Sequence, residues 1–221
     1  MRIALVMSIA GALLFPQSTP EPYRPARYLG GGPPGLAPMA VGGGEVVLEV
    51  SVASTGRVEN IKPIRTTPPF TQMLVERVRG WRFAPATEDP LGPDGKPAGR
   101  RAVASKVLVA ALFRAPTLLT PTQGETPATV SAASNDVVYP SQMIEPPFPP
   151  DARFGGVVMI EARIGPTGII NEARVIASSP PFDEPAMQAA RQWRFYPAQI
   201  KDNADTFAYL VFGFPQPVTG R

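Results

Sequence analysis

Two stretches of the 221-residue chain align without a gap: GGEVVLEVSVASTGRVENIKPIRTTPPFTQMLVERVRGWRFAPA, Gly43 to Ala86, and GGVVMIEARIGPTGIINEARVIASSPPFDEPAMQAARQWRFYPA, Gly155 to Ala198. The offset is 112 throughout, and sixteen of the 44 positions are identical, where roughly three would coincide at ordinary composition. Both tryptophans, Trp81 and Trp193, fall in register inside Trp-Arg-Phe-x-Pro-Ala. The sequence therefore reads as one structural unit used twice.

Val46, Leu48, Val50 and Val52 alternate with Val47, Glu49 and Ser51, and Val158, Ile160, Ala162 and Ile164 alternate with Met159, Glu161 and Arg163. Period two predicts a strand with one buried face. Ser54-Thr55-Gly56 and Pro166-Thr167-Gly168 are turn residues, so a hairpin follows. The returning strand alternates imperfectly around Ile61, which predicts a bulge or strong twist. Pro68-Pro69-Phe70 and Pro180-Pro181-Phe182 break the strand, with Thr71 and Asp183 placed as helix N-caps. Leu74, Val78 and Trp81, and Ala186, Ala190 and Trp193, then mark one helical face. A last strand follows each copy, Ser105 to Phe113 and Thr206 to Phe214, and is expected at a sheet edge. The expected fold class is α+β: two tandem β-β-α-β units, each a small antiparallel sheet packed against one helix.

Working outward, residues 1–18 read as a signal peptide or short N-terminal anchor. Met1 and Arg2 precede an uncharged run from Ile3 to Phe15, which at ~1.5 Å per residue spans about 20 Å against ~30 Å of hydrocarbon. That pattern fits export better than a full membrane span. Pro and Gly make up eleven of the 24 residues at 19–42, and the stretch from Ala115 to Ser134 is rich in Pro, Thr, Ser and Ala. They predict a linker at 19–42, a first, divergent domain at 43–115, a flexible linker at 116–138 and a second domain at 139–216.

Lys+Arg and Asp+Glu number 21 and 18, with no basic block, so nucleic acid is not an expected partner. The absence of Cys and His removes thiolate chemistry, disulfides, His-containing zinc sites and His-based triads. Asp183 and Glu184 read as helix-start residues rather than an acid/base pair. No Ser-x-x-Lys pattern surrounds Lys62, Lys96, Lys106 or Lys201. No catalytic constellation, cofactor or metal site emerges, and the chain is expected not to be an enzyme.

Phe148-Pro149-Pro150-Asp151-Ala152-Arg153, Gly156-Val157-Val158, Thr167-Gly168, Ser178-Ser179, Phe182-Asp183 and Trp193-Arg194-Phe195-Tyr196-Pro197-Ala198 occur in an order and spacing that resemble the C-terminal domain of TonB proteins. The first copy shares Gly44, Gly56, Arg57, Val58 and the Trp81 to Ala86 motif but lacks the Y-P-x-x-A-R lead. The resemblance implies a periplasmic module that captures an extended peptide of an outer-membrane transporter as an added strand. An edge strand has unpaired N–H and C=O groups to offer such a guest. By resemblance the peptide-binding residues are Thr206, Phe207, Ala208, Tyr209, Leu210, Val211 and Phe212, with Glu145 and Phe148 as a second contact. An inner-membrane motor complex is a further partner of the family's energy transducers, which carry a spanning helix and a functional His; this chain has no His. The rival expectation is a self-associating envelope scaffold, within one chain or as a homodimer, whose edge strands pair with each other.

Overall fold

Gly56 and Gly168 lie at φ +77° and +79°, in the left-handed region that a tight reversal requires. A side chain at either would collide with the carbonyl of Phe83 or Phe195. The two hairpins they close belong to a computed structural model that describes residues 23–37, 42–90, 92–93, 98–116, 137–197 and 205–216. The expected N-terminal signal, 1–18, and most of the expected linker at 116–138 lie outside the described residues.

In chain order the first half holds β1 (Tyr23–Arg24), β2 (Arg27–Gly30), β3 (Gly44–Val52), β4 (Val58–Arg65), α1 (Phe70–Arg79), β5 (Arg82–Ala84), β6 (Ala86–Glu88), β7 (Arg101–Val103) and β8 (Ser105–Phe113). The second holds β9 (Pro140–Gln142), β10 (Gly156–Ile164), β11 (Ile170–Ala177), α2 (Asp183–Gln192), β12 (Arg194–Phe195) and β13 (Thr206–Phe214). Among the described residues the fold is α+β, with mostly antiparallel strands and two helices.

The expectation of two separate small sheets is overturned. Six strands form one sheet in the order β11-β10-β13-β8-β3-β4. At its centre β13 and β8 run parallel, Ala208 to Gly213 facing Leu108 to Phe113, while all other neighbours in this sheet are antiparallel. The cause is physical: each last strand is apolar with a row of bare backbone groups, and pairing the two removes both edges from water. A parallel central pair also turns the two halves over relative to one another, so α1 and α2 cover opposite faces. Leu74 and Val78 of α1 share a core with Val46, Leu48, Val109 and Val211. Ala186 and Ala190 of α2 share the other with Ile160, Leu108, Leu210 and Phe212.

Strands covered on both faces do not keep a wet side. Val47, on the alternate parity of β3, is buried in the α2 core, and Met159 is buried in the α1 core. The irregularity expected near Ile61 occurs as two register shifts, opposite Val47/Leu48 and Ser51/Val52, and β11 has two against β10. Thr71 and Asp183 are not the caps: the helices start after Pro69 and Phe182, neither with a side-chain cap bond. Instead Thr71 Oγ1 accepts from the Thr67 N–H at 2.8 Å. The Asp183 carboxylate accepts from the Ser179 N–H at 2.8 Å and the Ser178 hydroxyl at 2.5 Å. These bonds tie each helix to the preceding Pro-Pro turn, whose Pro68–Pro69 or Pro180–Pro181 peptide is cis.

The segment expected as a linker at 19–42 is built into the fold from Tyr23 to Ala37. β2 pairs with β5, Tyr28 opposite Phe83, and β1 pairs with β6. An indole N–H that is buried needs an acceptor. Trp81 Nε1 finds one in the Gly32 carbonyl at 3.0 Å, and Trp193 Nε1 in the Ile144 carbonyl at 3.0 Å. Gly32 and Ile144 are themselves 112 positions apart. The first half therefore does have a lead segment, held by its backbone.

Candidate functional site

β13 gathers most of the expected peptide-binding residues, and its position decides what they can do. Thr206 to Phe214 face Ile164 to Gly156 of β10 along their whole length. On the other side Ala208 to Gly213 face β8. The open edge expected at Thr206 to Phe214 is therefore closed, a correction that follows from the sheet being shared. Ala208, Leu210 and Phe212 point into the α2 core and Tyr209 and Val211 into the α1 core. Phe207 is partly buried beneath the Arg27 guanidinium, 4.9 Å from its ring centre. Gly213 lets the β8 strand come close, since a Cβ there would overlap the Phe113 ring.

Glu145 and Phe148 are also committed to the fold. Glu145 forms an ion pair with Arg114 Nε at 2.9 Å, both side chains 9% exposed. Arg114 in addition donates through Nη1 to the Pro146 carbonyl and through its backbone N–H to the Gly213 carbonyl. Phe148 meets Phe182 and Phe214 edge-on, at 5.6 and 6.4 Å between ring centres. Together they hold the lead segment against the ends of the central strands.

A second set of residues lies outside the expected site. Glu49 and Glu161, one of the sixteen identical pairs, are both buried, and each bonds to the lead segment of the other half. Arg27 Nη2 donates to Glu161 Oε1 at 2.6 Å, and the Tyr139 hydroxyl donates to Glu49 Oε2 at 2.5 Å. Arg27 and Tyr139 are again 112 apart. Arg174 Nε adds a 2.8 Å bond to Glu161 Oε1, and Lys106 Nζ lies 3.3 Å from Glu49 Oε1. The hydrogen bond to Glu161 holds the Arg174 guanidinium above its ordinary pKa. Burial, with Glu161 adding to it, pushes the Tyr209 phenol well above the usual tyrosine range, while its hydroxyl oxygen accepts from the Tyr28 N–H at 2.8 Å. A charge retained at the same place in two apolar strands was the signal available in the sequence.

With β13 and β8 closed, the margins of the sheet are β4 and β11. They occupy equivalent positions and differ in chemistry. β4 reads Val-Glu-Asn-Ile-Lys-Pro-Ile-Arg and β11 reads Ile-Asn-Glu-Ala-Arg-Val-Ile-Ala. Pro63, which has no N–H, stands where Val175 stands in β11.

Residues 145–214, from the lead segment to the end of β13, match the family model of the Gram-negative bacterial TonB protein C-terminal. Over this stretch the chain is similar to the TonB C-terminal domain family. The match takes in α2, the β10–β11 hairpin, the Trp193 motif and β13. A comparison with curated proteins finds no match. TonB C-terminal domains are non-enzymatic, belong to envelope proteins and work in transport with outer-membrane transporters. Among the described residues of this chain no helix is long and apolar enough to cross a membrane.

Proposed function

We propose that the chain is a periplasmic, non-catalytic TonB-type module, exported by its N-terminal signal. In this reading two tandem β-β-α-β units share one sheet, and the module binds an extended peptide of an outer-membrane transporter by strand addition. The units are β3-β4-α1-β5-β8 and β10-β11-α2-β12-β13. The observation that carries the reading is the family match over 145–214, on a half whose outer strand, β11, has no strand beyond it among the described residues. Main-chain groups at such a margin gain hydrogen bonds from a guest while alternate side chains select it. Titrating the full chain with a synthetic peptide copied from the N-terminal segment of an outer-membrane transporter, followed by calorimetry and amide shifts, tests it. Saturable binding is expected; no heat and no shift at millimolar peptide rejects the reading.

A second reading, an envelope scaffold, is favoured by one observation: β8 and β13 already occupy each other's edges. A chain that sediments as a monomer or dimer with no affinity for any such peptide supports the scaffold instead.

A further inference from the structure

We infer that the guest strand of this protein is received on the outer margin of β11, along Glu172 to Val175, and that the equivalent margin of β4 is closed to guests. The inference rests on the strand-addition reading above and specifies its site. Between the two register shifts, Glu172, Ala173, Arg174 and Val175 pair in uninterrupted register with Arg163, Ala162, Glu161 and Ile160. This gives a regular stretch on which a further strand can align. Its two faces differ. Ala173 and Val175 lie against the α2 core, so alternate guest positions on that side meet apolar groups. Arg174 is half exposed although it bonds to Glu161, and Glu172 is exposed.

Cross-strand pairs favour opposite charge. The guest that fits is therefore an extended peptide with apolar residues on one face, and on the other an acidic residue beside Arg174 and a basic residue beside Glu172. Two exposed apolar groups lie beside this hairpin, Ile169 at its turn and Tyr196 after β12, the latter with its backbone against Gly168. At the matching positions of the first half stand Arg57 and Ala84. With Pro63 in place of Val175, β4 lacks a donor within the corresponding stretch and a cation replaces the apolar side chain at its turn. Such features protect an edge from pairing.

The test uses the full chain, isotopically labelled, and the transporter N-terminal peptide as probe. Amide shifts are expected to concentrate on Glu172 to Ile176, with one peptide bound. Val175→Pro is expected to weaken binding about tenfold or more, and Pro63→Val to add a second, weaker site on β4 whether or not the first variant folds. Binding with shifts centred elsewhere, or Pro63→Val leaving one site, overturns the placement while strand capture as a function stands. No binding at all overturns both. A dimer in sedimentation that protects Glu172 to Val175 from exchange overturns it in favour of a second copy of the chain.

Discussion

Gly32 and Ile144 do the same work in the two halves, each offering a carbonyl to a buried tryptophan. Yet Arg27 to Gly32 and Tyr139 to Ile144 share no residue at matching positions. The Trp-Arg-Phe motifs, by contrast, are identical. A role performed by the backbone leaves side chains free to drift, whereas a role performed by a side chain does not. The same contrast separates β4 from β11: their partners β3 and β10 are alike, but the outer strands diverge where Pro63 faces Leu48 and Val175 faces Ile160.

The comparison breaks most readily at the tryptophans. Trp81 and Trp193 are both fully buried, so Trp81→Ala and Trp193→Ala are each expected to cost about 3–5 kcal/mol. Because the halves share one sheet, either variant should lower a single transition seen alike by circular dichroism and by fluorescence of the remaining tryptophan. Two separated transitions would show that the halves fold independently.

Tyr209 sharpens the comparison, since aligning Phe113 with Phe214 places Leu108 at its position in β8. Tyr209→Phe removes the bond from the Tyr28 N–H and is expected to cost about 1 kcal/mol near neutral pH. The native phenol holds its proton more tightly folded than unfolded. Its contribution is thus present below the ordinary tyrosine pKa of about 10 and is lost as pH rises above it. Urea midpoints between about pH 9 and 11 should fall less steeply in Tyr209→Phe than in the native chain.

The smallest effect concerns the helix starts. Asp183 accepts two hydrogen bonds from the turn before α2, and Thr71 accepts one from the Thr67 N–H before α1. Asp183→Ala is expected to cost about 1 kcal/mol and Thr71→Ala slightly less, read from denaturant midpoints. An equal loss would show that the second bond of Asp183 adds nothing.

The hairpins, helices and last strands were legible because each is dictated locally, by alternation at Val46 to Val52, by Gly56 and Gly168, and by the i, i+4, i+7 face ending in each tryptophan. What joins the two halves was not. The β8–β13 pairing depends on two strands finding each other across the chain, and nothing in Thr206 to Phe214 distinguishes a bare edge from an interior strand. Burial on both sides could have been suspected from Val47 and Met159, apolar residues on the parity assigned to solvent. The lead segment at 23–37 was hidden by its proline and glycine content, which resembles a linker even where the backbone makes the contacts. Of the expected site, Phe148 packs into the same core as Ala208, Leu210 and Phe212, and Glu145 is held by Arg114; these contacts hold the molecule shut.

The central parallel pair also dictates the order in which the molecule can be completed. Leu108 waits for Ala208, 100 positions away, and Arg27 for Glu161, 134 positions away. A chain delivered from its N-terminus will therefore make the first hairpin and helix early, with the flank of β8 still bare and adhesive. β13, the last of the described strands, covers it. Loss of β13 would accordingly leave the flank of β8 bare and the upstream half prone to aggregate.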